Sequence, residues 1–343
     1  MALIEGLKES ILREIAGGDG KILSAIIGQD DAKNKLLAAL LAGHHVLLEG
    51  PPGVGKTTLT RSIASILPGI EVVKLCPYHC EPSSPVCPFC KEKMKNKGGL
   101  ESEIISGGER FVRVQGSPDL TAEDLLGDID FGRAMEYGCQ DYRSFTPGKL
   151  LRGNRGILFF DELNRIPERL QNALLQVMEE GVATIGPYDV DYPASFAMVA
   201  TMNPKEHAGV EELSDVLLDR FDVVRIGYPE TEEEEEAILL KYGKHFDGID
   251  VPNEISRKIV RLVRCTREEP WIRELSQGAS PRAGLSMYEA VQAYAILKGR
   301  IVPALDDLRS VCPSSLVSRL SVSPESRYFD DPFELVKELA QTI

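Results

Sequence analysis

The sequence predicts an α/β fold with a phosphate-binding loop (P-loop): a parallel sheet sandwiched by helices, followed by an all-α domain. Three observations carry that expectation. Gly50-Pro51-Pro52-Gly53-Val54-Gly55-Lys56-Thr57 fits the pattern G-x-x-x-x-G-K-[ST] without a mismatch. Strand-like apolar runs alternate with helical patterns through the first two-thirds of the chain, as in a sheet covered on both faces. Beyond Tyr228-Pro229 only helix-period segments follow.

The elements can be justified in order. Met1–Ile15 alternates apolar and charged residues as an amphipathic helix does, unlike a secretion leader. Asp30–Ala42 reads as a helix, and Val46–Glu49 as a buried strand leading into the glycine-rich loop. Gly50, Gly53 and Gly55 permit the backbone angles that turn several N–H groups toward one anion, with the N-terminus of the following helix, Thr58–Leu67, behind them. Lys56 reaches toward β- and γ-phosphates, and the Thr57 hydroxyl suits Mg²⁺. Further strand-like runs are Ile70–Leu75, Ile157–Phe160, Ala197–Thr201 and Val223–Ile226, with a helix over Pro167–Glu180. The C-terminal helices are expected at Thr231–Tyr242, Asn253–Glu268, Pro281–Lys298, Leu305–Ser310 and Asp331–Thr342. A domain boundary is therefore placed at about 228/229. The acidic run Glu232–Glu236 follows Thr231, so it reads as a capped helix start whose carboxylates complement the dipole.

At 343 residues, 43% of them hydrophobic, the chain has material for two cores. A net charge of −14 offers no global attraction to nucleic acid or anionic lipid. The longest apolar run, Leu36–Ala42, is too short to span a bilayer. The cytoplasm is the expected location, and no membrane association is expected.

Ile157-Leu158-Phe159-Phe160-Asp161-Glu162 is a buried-strand pattern ending in two carboxylates. Beside a phosphate loop, such a strand would deliver Asp161 toward the Thr57-bound Mg²⁺ and Glu162 toward the attacking water. Asn203 follows the next apolar strand, where it is either a γ-phosphate neighbour or an ordinary Asn-Pro turn. Arg220 in Leu217–Asp222 and Arg282 in Ser280-Pro281-Arg282 are, by themselves, compatible with surface charge. No N-K-x-D tetrapeptide for guanine is present, so ATP is the expected nucleotide.

Together these residues resemble the AAA+ ATPases, in the clade of MoxR proteins and magnesium-chelatase I subunits. The resemblance runs from Ile27-Gly28-Gln29 to Ser318-Arg319-Leu320. It rests on Gly50–Thr57, Asp161–Arg165, Thr201–Pro204, Leu217–Phe221 and Gly278–Arg282. It implies that Gly28 and Gln29 pack the adenine, and that Gly50–Thr57 with Thr58 and Asp161 hold ATP and Mg²⁺. By the same resemblance Asn203 is sensor 1, Arg220 an arginine finger offered to a neighbouring subunit, and Arg282 sensor 2. A ring is implied, commonly of six, with the C-terminal domain as the helical lid. Residues 180–196 resemble the hairpin preceding sensor 1, and residues 119–147 the helix-2 insertion. In relatives both project into the ring and touch partners; a plain surface hairpin and loop is the alternative.

Four of the seven cysteines, Cys76, Cys80, Cys87 and Cys90, fall in one short window, 76–90, with Pro77 and Pro88 stiffening the turns. That spacing suits a tetrahedral soft-metal site. Structural Zn²⁺ is the leading reading; an iron–sulfur cluster or free thiols are the alternatives. His79 could replace one ligand, but Cys80 is better spaced. Cys139, Cys265 and Cys312 are expected to be plain buried or half-buried thiols. Typical MoxR proteins lack such a cluster, and some chelatase-type relatives carry similar cysteines.

The leading functional expectation is an ATP-driven ring that remodels or activates a protein client, or a partner with a von Willebrand factor A domain. The alternative is the ATPase motor subunit of a magnesium-chelatase-like complex, another subunit holding the tetrapyrrole. A nucleic-acid motor would call for basic residues at the hairpin tip, where Tyr188-Asp189-Val190-Asp191 is acidic. A non-hydrolysing scaffold is disfavoured by intact Glu162 and Arg220.

Overall fold

Apolar runs that are buried on both faces build the centre of a five-stranded sheet. A computed structural model describes residues 2–16, 23–97, 99–185, 190–203 and 213–342. In it the sheet strands are β1 (His45–Glu49), β2 (Phe111–Gln115), β3 (Ile157–Asp161), β4 (Ala197–Met202) and β5 (Phe221–Arg225). They run parallel in the order β5-β1-β4-β3-β2. Successive strand side chains point to opposite faces, yet Val46, Leu47 and Leu48 are all fully buried, as are Leu158, Phe159 and Phe160. Both faces are therefore covered, as a parallel sheet requires.

Contacts divide the chain into two compact units. The first comprises Met1–Ile26, Asp30–Gly50 and Gly55–Ile226. Its helices include α1 (Ala2–Ala16), α2 (Asp30–Ala42), α3 (Lys56–Ile66) and α4 (Glu168–Glu180). On α2 the buried residues Ala32, Lys33, Leu36, Leu37, Ala39 and Leu40 fall on one helical stripe. Lys33 on that stripe forms an ion pair with Asp30 at 2.9 Å.

The second unit comprises Ile27–Gln29, Pro51–Val54 and Gly227–Ile343. It contains α5 (Glu232–Tyr242), α6 (Asn253–Cys265), α7 (Pro281–Leu297), α8 (Leu305–Leu316) and α9 (Pro332–Gln341). It also carries one short antiparallel pair, Leu275–Gln277 with Ser321–Val322, within an otherwise helical unit. The Thr231 hydroxyl caps α5 by accepting from the Glu234 N–H at 3.2 Å, so the acidic run is a helix start. Glu235 is buried and held in two hydrogen bonds by Arg267, which also lies 4.0 Å over the Tyr228 ring.

Three expectations are corrected. Ile70–Val73 is a strand, but it pairs antiparallel with Ser102–Ile105 away from the main sheet. Its sheet position is taken by β2, whose Phe-Val-Arg-Val-Gln alternation suits an edge strand buried on one face only. Cys139 is exposed, because it follows a helix, Phe131–Tyr137, that buries none of its residues. The other scattered cysteines are half-buried (Cys265) or buried (Cys312). The helix expected over Leu305–Ser310 continues to Leu316, through Pro313.

Two segments stand out between the sheet strands. Residues 119–147 fold as a short helix, Ala122–Leu126, then Gly127–Ile129 paired antiparallel with Phe145–Pro147 around the Phe131–Tyr137 helix. Val182–Ile185 and Val190–Pro193 pair antiparallel as a hairpin. Of the tip tetrapeptide, residues 188 and 189 lie outside the described residues, as do Gly186, Pro187 and Pro204.

Candidate nucleotide site and four-cysteine centre

The strand order reverses its direction of winding between β1 and β4: the chain leaves β1 toward β2 on one side and β4 toward β5 on the other. Crevices at the carboxyl ends of such strands are where open α/β sheets take ligands. The glycine-rich loop starts there, and its root is tied to β4 by Gly50 N–H donating to the Met202 carbonyl at 3.3 Å. A Cβ on Gly50 would stand 2.2 Å from the Ile226 carbonyl oxygen, so only glycine fits. Gly55 takes the left-handed conformation at φ 94°, letting the loop turn into α3 at Lys56. The Lys56 ammonium donates to the Gly50 carbonyl. Thr57 and Thr58 follow in the first turn of α3.

Asp161 ends β3 at the same edge of the sheet, and Glu162 follows it. Thr201 on β4 binds both: its hydroxyl donates to Asp161 Oδ1 at 2.8 Å and accepts from the Glu162 N–H at 2.9 Å. Arg113 pairs with Asp161 Oδ2 at 2.6 Å. Glu162 sits at φ 57°, ψ 54°, a region a non-glycine residue rarely occupies and one found at sites where a side chain must be aimed. Its carboxylate accepts from Gln115 at 2.9 Å and from Arg165 at 3.2 Å. Gly116 donates to the Asp161 carbonyl at 2.6 Å, and a Cβ there would stand 2.0 Å from the Glu162 carbonyl oxygen. Sequence reasoning gave Thr201, Arg113, Gln115, Gly116 and Arg165 no role. The signal was present in β2, whose Arg113 and Gln115 share one face by their i, i+2 spacing.

Asn203 is half-buried at the exit of β4. Arg220 lies elsewhere, partly exposed after the short helix Asp215–Leu218, in an ion pair with Glu179 on α4. In the second unit, Arg282 begins α7 beside the apex of the loop. A Cβ on Gly53 would meet Ser280 Oγ at 2.3 Å and Arg282 Cβ at 3.3 Å. Gly28 (φ 64°) and Gln29 (φ 61°) belong to the same unit, with the Gln29 amide donating to the carbonyls of Gly227 and Tyr228 at 3.2 Å each.

The four clustered cysteines converge. Their Sγ atoms all lie within 4.8 Å of one another, and Cys80, Cys87 and Cys90 are buried. The Cys76 and Cys87 sulfurs are 3.8 Å apart. A tetrahedron with metal–sulfur bonds of about 2.3 Å has edges of about 3.8 Å, so the donor set fits a single soft ion. A cluster of several irons would hold its thiolates farther apart, around an inorganic core. Backbone N–H groups of Cys87 and Cys90 donate to the sulfurs of Cys80 and Cys87 at 3.3 and 3.4 Å. Hydrogen bonds from the Cys80 and Cys87 thiols lower the Cys76 pKa, and the same contacts raise those of Cys80 and Cys87. His79 is not among the donors; its Nδ1 faces the Asn154 carbonyl at 3.2 Å.

Comparison with known proteins agrees with this fold. Residues 102–223 match the family described as "ATPase family associated with various cellular activities (AAA)". Residues 22–78 match "Magnesium chelatase, subunit ChlI", and residues 273–339 match "AAA lid domain". The magnesium-chelatase 38 kDa subunit of Acidiphilium rubrum is 30% identical over 338 residues, 88% of this chain and 91% of that protein. The chain belongs to the AAA+ ATPases of the MoxR and magnesium-chelatase clade. This AAA+ ATPase is also 28% identical to "Chaperone MoxR1" of Mycobacterium tuberculosis over 347 residues, 93% of its own length and 78% of the other's. A solved RuvB mutant of Thermotoga maritima shares the fold, with a TM-score of 0.50 at 19% identity over 86% of this chain and 72% of that one. Membership makes the protein an ATP-hydrolysing enzyme that works with Mg²⁺. No helix among the described residues is long and apolar enough to cross a membrane.

Proposed function

We propose that this ATPase is a ring motor of the MoxR type whose hydrolysis cycle remodels or activates a protein partner. The observation that carries the reading is the convergence of the loop root, Asp161, Glu162 and Thr201 at the carboxyl edge of β1, β3 and β4. Loop N–H groups and Lys56 bind the phosphates, and Arg282 reads the bound nucleotide from the lid. Gly28 and Gln29 hold the adenine. The oxygen donors of Thr57 and Asp161 suit Mg²⁺, which supplies charge neutralisation on the β- and γ-oxygens. Glu162 polarises the attacking water, and Asn203 orients it. Arg220 serves a neighbouring subunit in a ring of six. The four cysteines hold Zn²⁺, on the support of their spacing and donor type. The lid is taken to begin at about 228/229.

The segments 119–147 and 180–196 are proposed to meet the partner, a von Willebrand factor A-domain protein or another client, in the cytoplasm. A second reading, the ATPase motor of a chelatase-like complex, is favoured by the match of residues 22–78 to the magnesium-chelatase family. Hydrolysis is tested first: Lys56→Ala should weaken nucleotide binding, and Glu162→Gln should bind ATP and retain it unhydrolysed. Undiminished turnover in both variants sinks the assignment. The trapped Glu162→Gln protein, offered a purified A-domain protein and a large chelatase subunit in parallel, separates the two readings by which one it retains.

A further inference from the structure

We infer that the four-cysteine centre fastens both projecting segments to the nucleotide-binding unit, one through each of its cysteine loops. The first loop, Cys76-Pro77-Tyr78-His79-Cys80, carries a fully buried Tyr78 whose ring stacks on Tyr192 at 5.5 Å and 15°. Tyr192 lies on the second arm of the hairpin and stacks in turn on Phe145 of the insertion at 5.8 Å and 25°. The second loop, Cys87-Pro88-Phe89-Cys90, presents Phe89 edge-on to Tyr142 of the insertion at 5.2 Å and 85°.

Polar contacts repeat the connection. The buried Asn154 side chain donates to the Tyr78 carbonyl at 2.9 Å and accepts from the Ser195 N–H, just past the hairpin, at 3.1 Å. Arg155 donates to the His79 carbonyl through its side chain at 3.0 Å and to the Ser195 carbonyl through its backbone at 2.6 Å. Asn154 and Arg155 lead by way of Gly156 into β3, the strand that ends at Asp161, just before Glu162. The cysteine loops thus touch the hairpin, the insertion and the catalytic strand together.

Between Cys76 and Cys87 the β-pairing is one isolated bridge, Glu81 with Ser84, so one tetrahedral soft divalent ion supplies the restraint. Its role is positioning, since none of the four sulfurs is among the groups at the carboxyl edge of the sheet. Losing the ion would loosen the bases of both segments and leave the glycine-rich loop intact. The fastening rests on the metal proposed at the four cysteines, and that the two segments meet a partner rests on the proposed ring motor.

Hydrogen exchange on the full-length protein tests this, comparing metal-loaded protein with chelator-stripped protein and with Tyr78→Ala and Phe89→Ala. Stripping should raise exchange about tenfold or more in residues 124–147, 182–185 and 190–196, with peptides spanning 45–60 and ATP affinity nearly unchanged. Tyr78→Ala should keep one ion per chain and loosen chiefly the hairpin; Phe89→Ala should keep it and loosen chiefly the segment around Tyr142. Faster exchange confined to residues 76–97, aromatic variants indistinguishable from the parent, or protected segments in protein isolated without metal would each overturn the inference. Should stripped protein unfold throughout, the metal-retaining aromatic variants decide alone. If exchange responds as expected but partner stimulation of hydrolysis does not change in the aromatic variants, the fastening stands and the partner role of these segments falls.

Discussion

Single residues set the aim of the carboxylate proposed to polarise the attacking water. Glu162 is held in a left-handed conformation between the Thr201 hydroxyl, Gln115 and Arg165, and its carbonyl lies against Gly116. Gly116→Ala would put a methyl 2.0 Å from that carbonyl, so the backbone at Glu162 has to shift. A cost of about 1–3 kcal/mol in stability is expected, with kcat falling further than ATP affinity. Denaturant unfolding with steady-state kinetics checks both; an unchanged kcat would show that Glu162 tolerates the shift. His45 offers a pH readout on the same sheet. Its Nδ1 accepts from the Met198 N–H at 3.1 Å, and burial, then the neighbouring His44, lowers its pKa to about 4 from 6.5. The unfolded chain then binds the extra proton below pH 6.5, so this residue removes stability as pH falls from 6.5 toward 4. Melting temperatures across that window should fall less steeply in His45→Gln than in the parent protein.

Elements were legible where one strong local signal fixed them. The helices Asp30–Ala42 and Glu168–Glu180 and the strands carrying Val46–Leu48 and Ile157–Phe160 follow from apolar periodicity and length. The strand Ile70–Val73 shows the limit: its composition announces a strand, but its partner depends on Ser102–Ile105 lying across a cysteine-rich loop. Pairing of that kind is a tertiary fact that propensity does not encode. The phosphate loop, Asp161 and Glu162 stood out because their chemistry demands fixed residue types. Thr201, Gln115 and Gly116 did not, since common residues acquire such roles only through register. The buried pair Glu235 and Arg267 was hidden in the same way, inside an acidic run that reads as a solvated helix start. Glu235→Ala would leave Arg267, whose side chain is only 11% exposed, with the Ala279 carbonyl and the Tyr228 ring but no carboxylate, and should cost about 3 kcal/mol. Calorimetry should record the loss, and a change below about 1 kcal/mol would reclassify the pair as a surface bridge.

At the scale of the whole molecule, the proposed assembly turns on Arg220. Within the chain it is paired with Glu179 on the surface, away from the edge where Lys56, Asp161 and Glu162 gather. A cation offered to a neighbour's γ-phosphate contributes roughly 10³–10⁵ in rate in other nucleotidases. Arg220→Ala should therefore bind ATP almost normally and hydrolyse it very slowly. The most direct test mixes Arg220→Ala, which keeps an intact pocket, with Lys56→Ala, which keeps an intact arginine. It is run above the assembly concentration, with subunit exchange shown independently. The proposed ring motor requires hydrolysis by the mixture to exceed the sum of the separate variants. Confirmed exchange with activity never above that sum would contradict it, and Arg220 would then be a surface ion pair with Glu179.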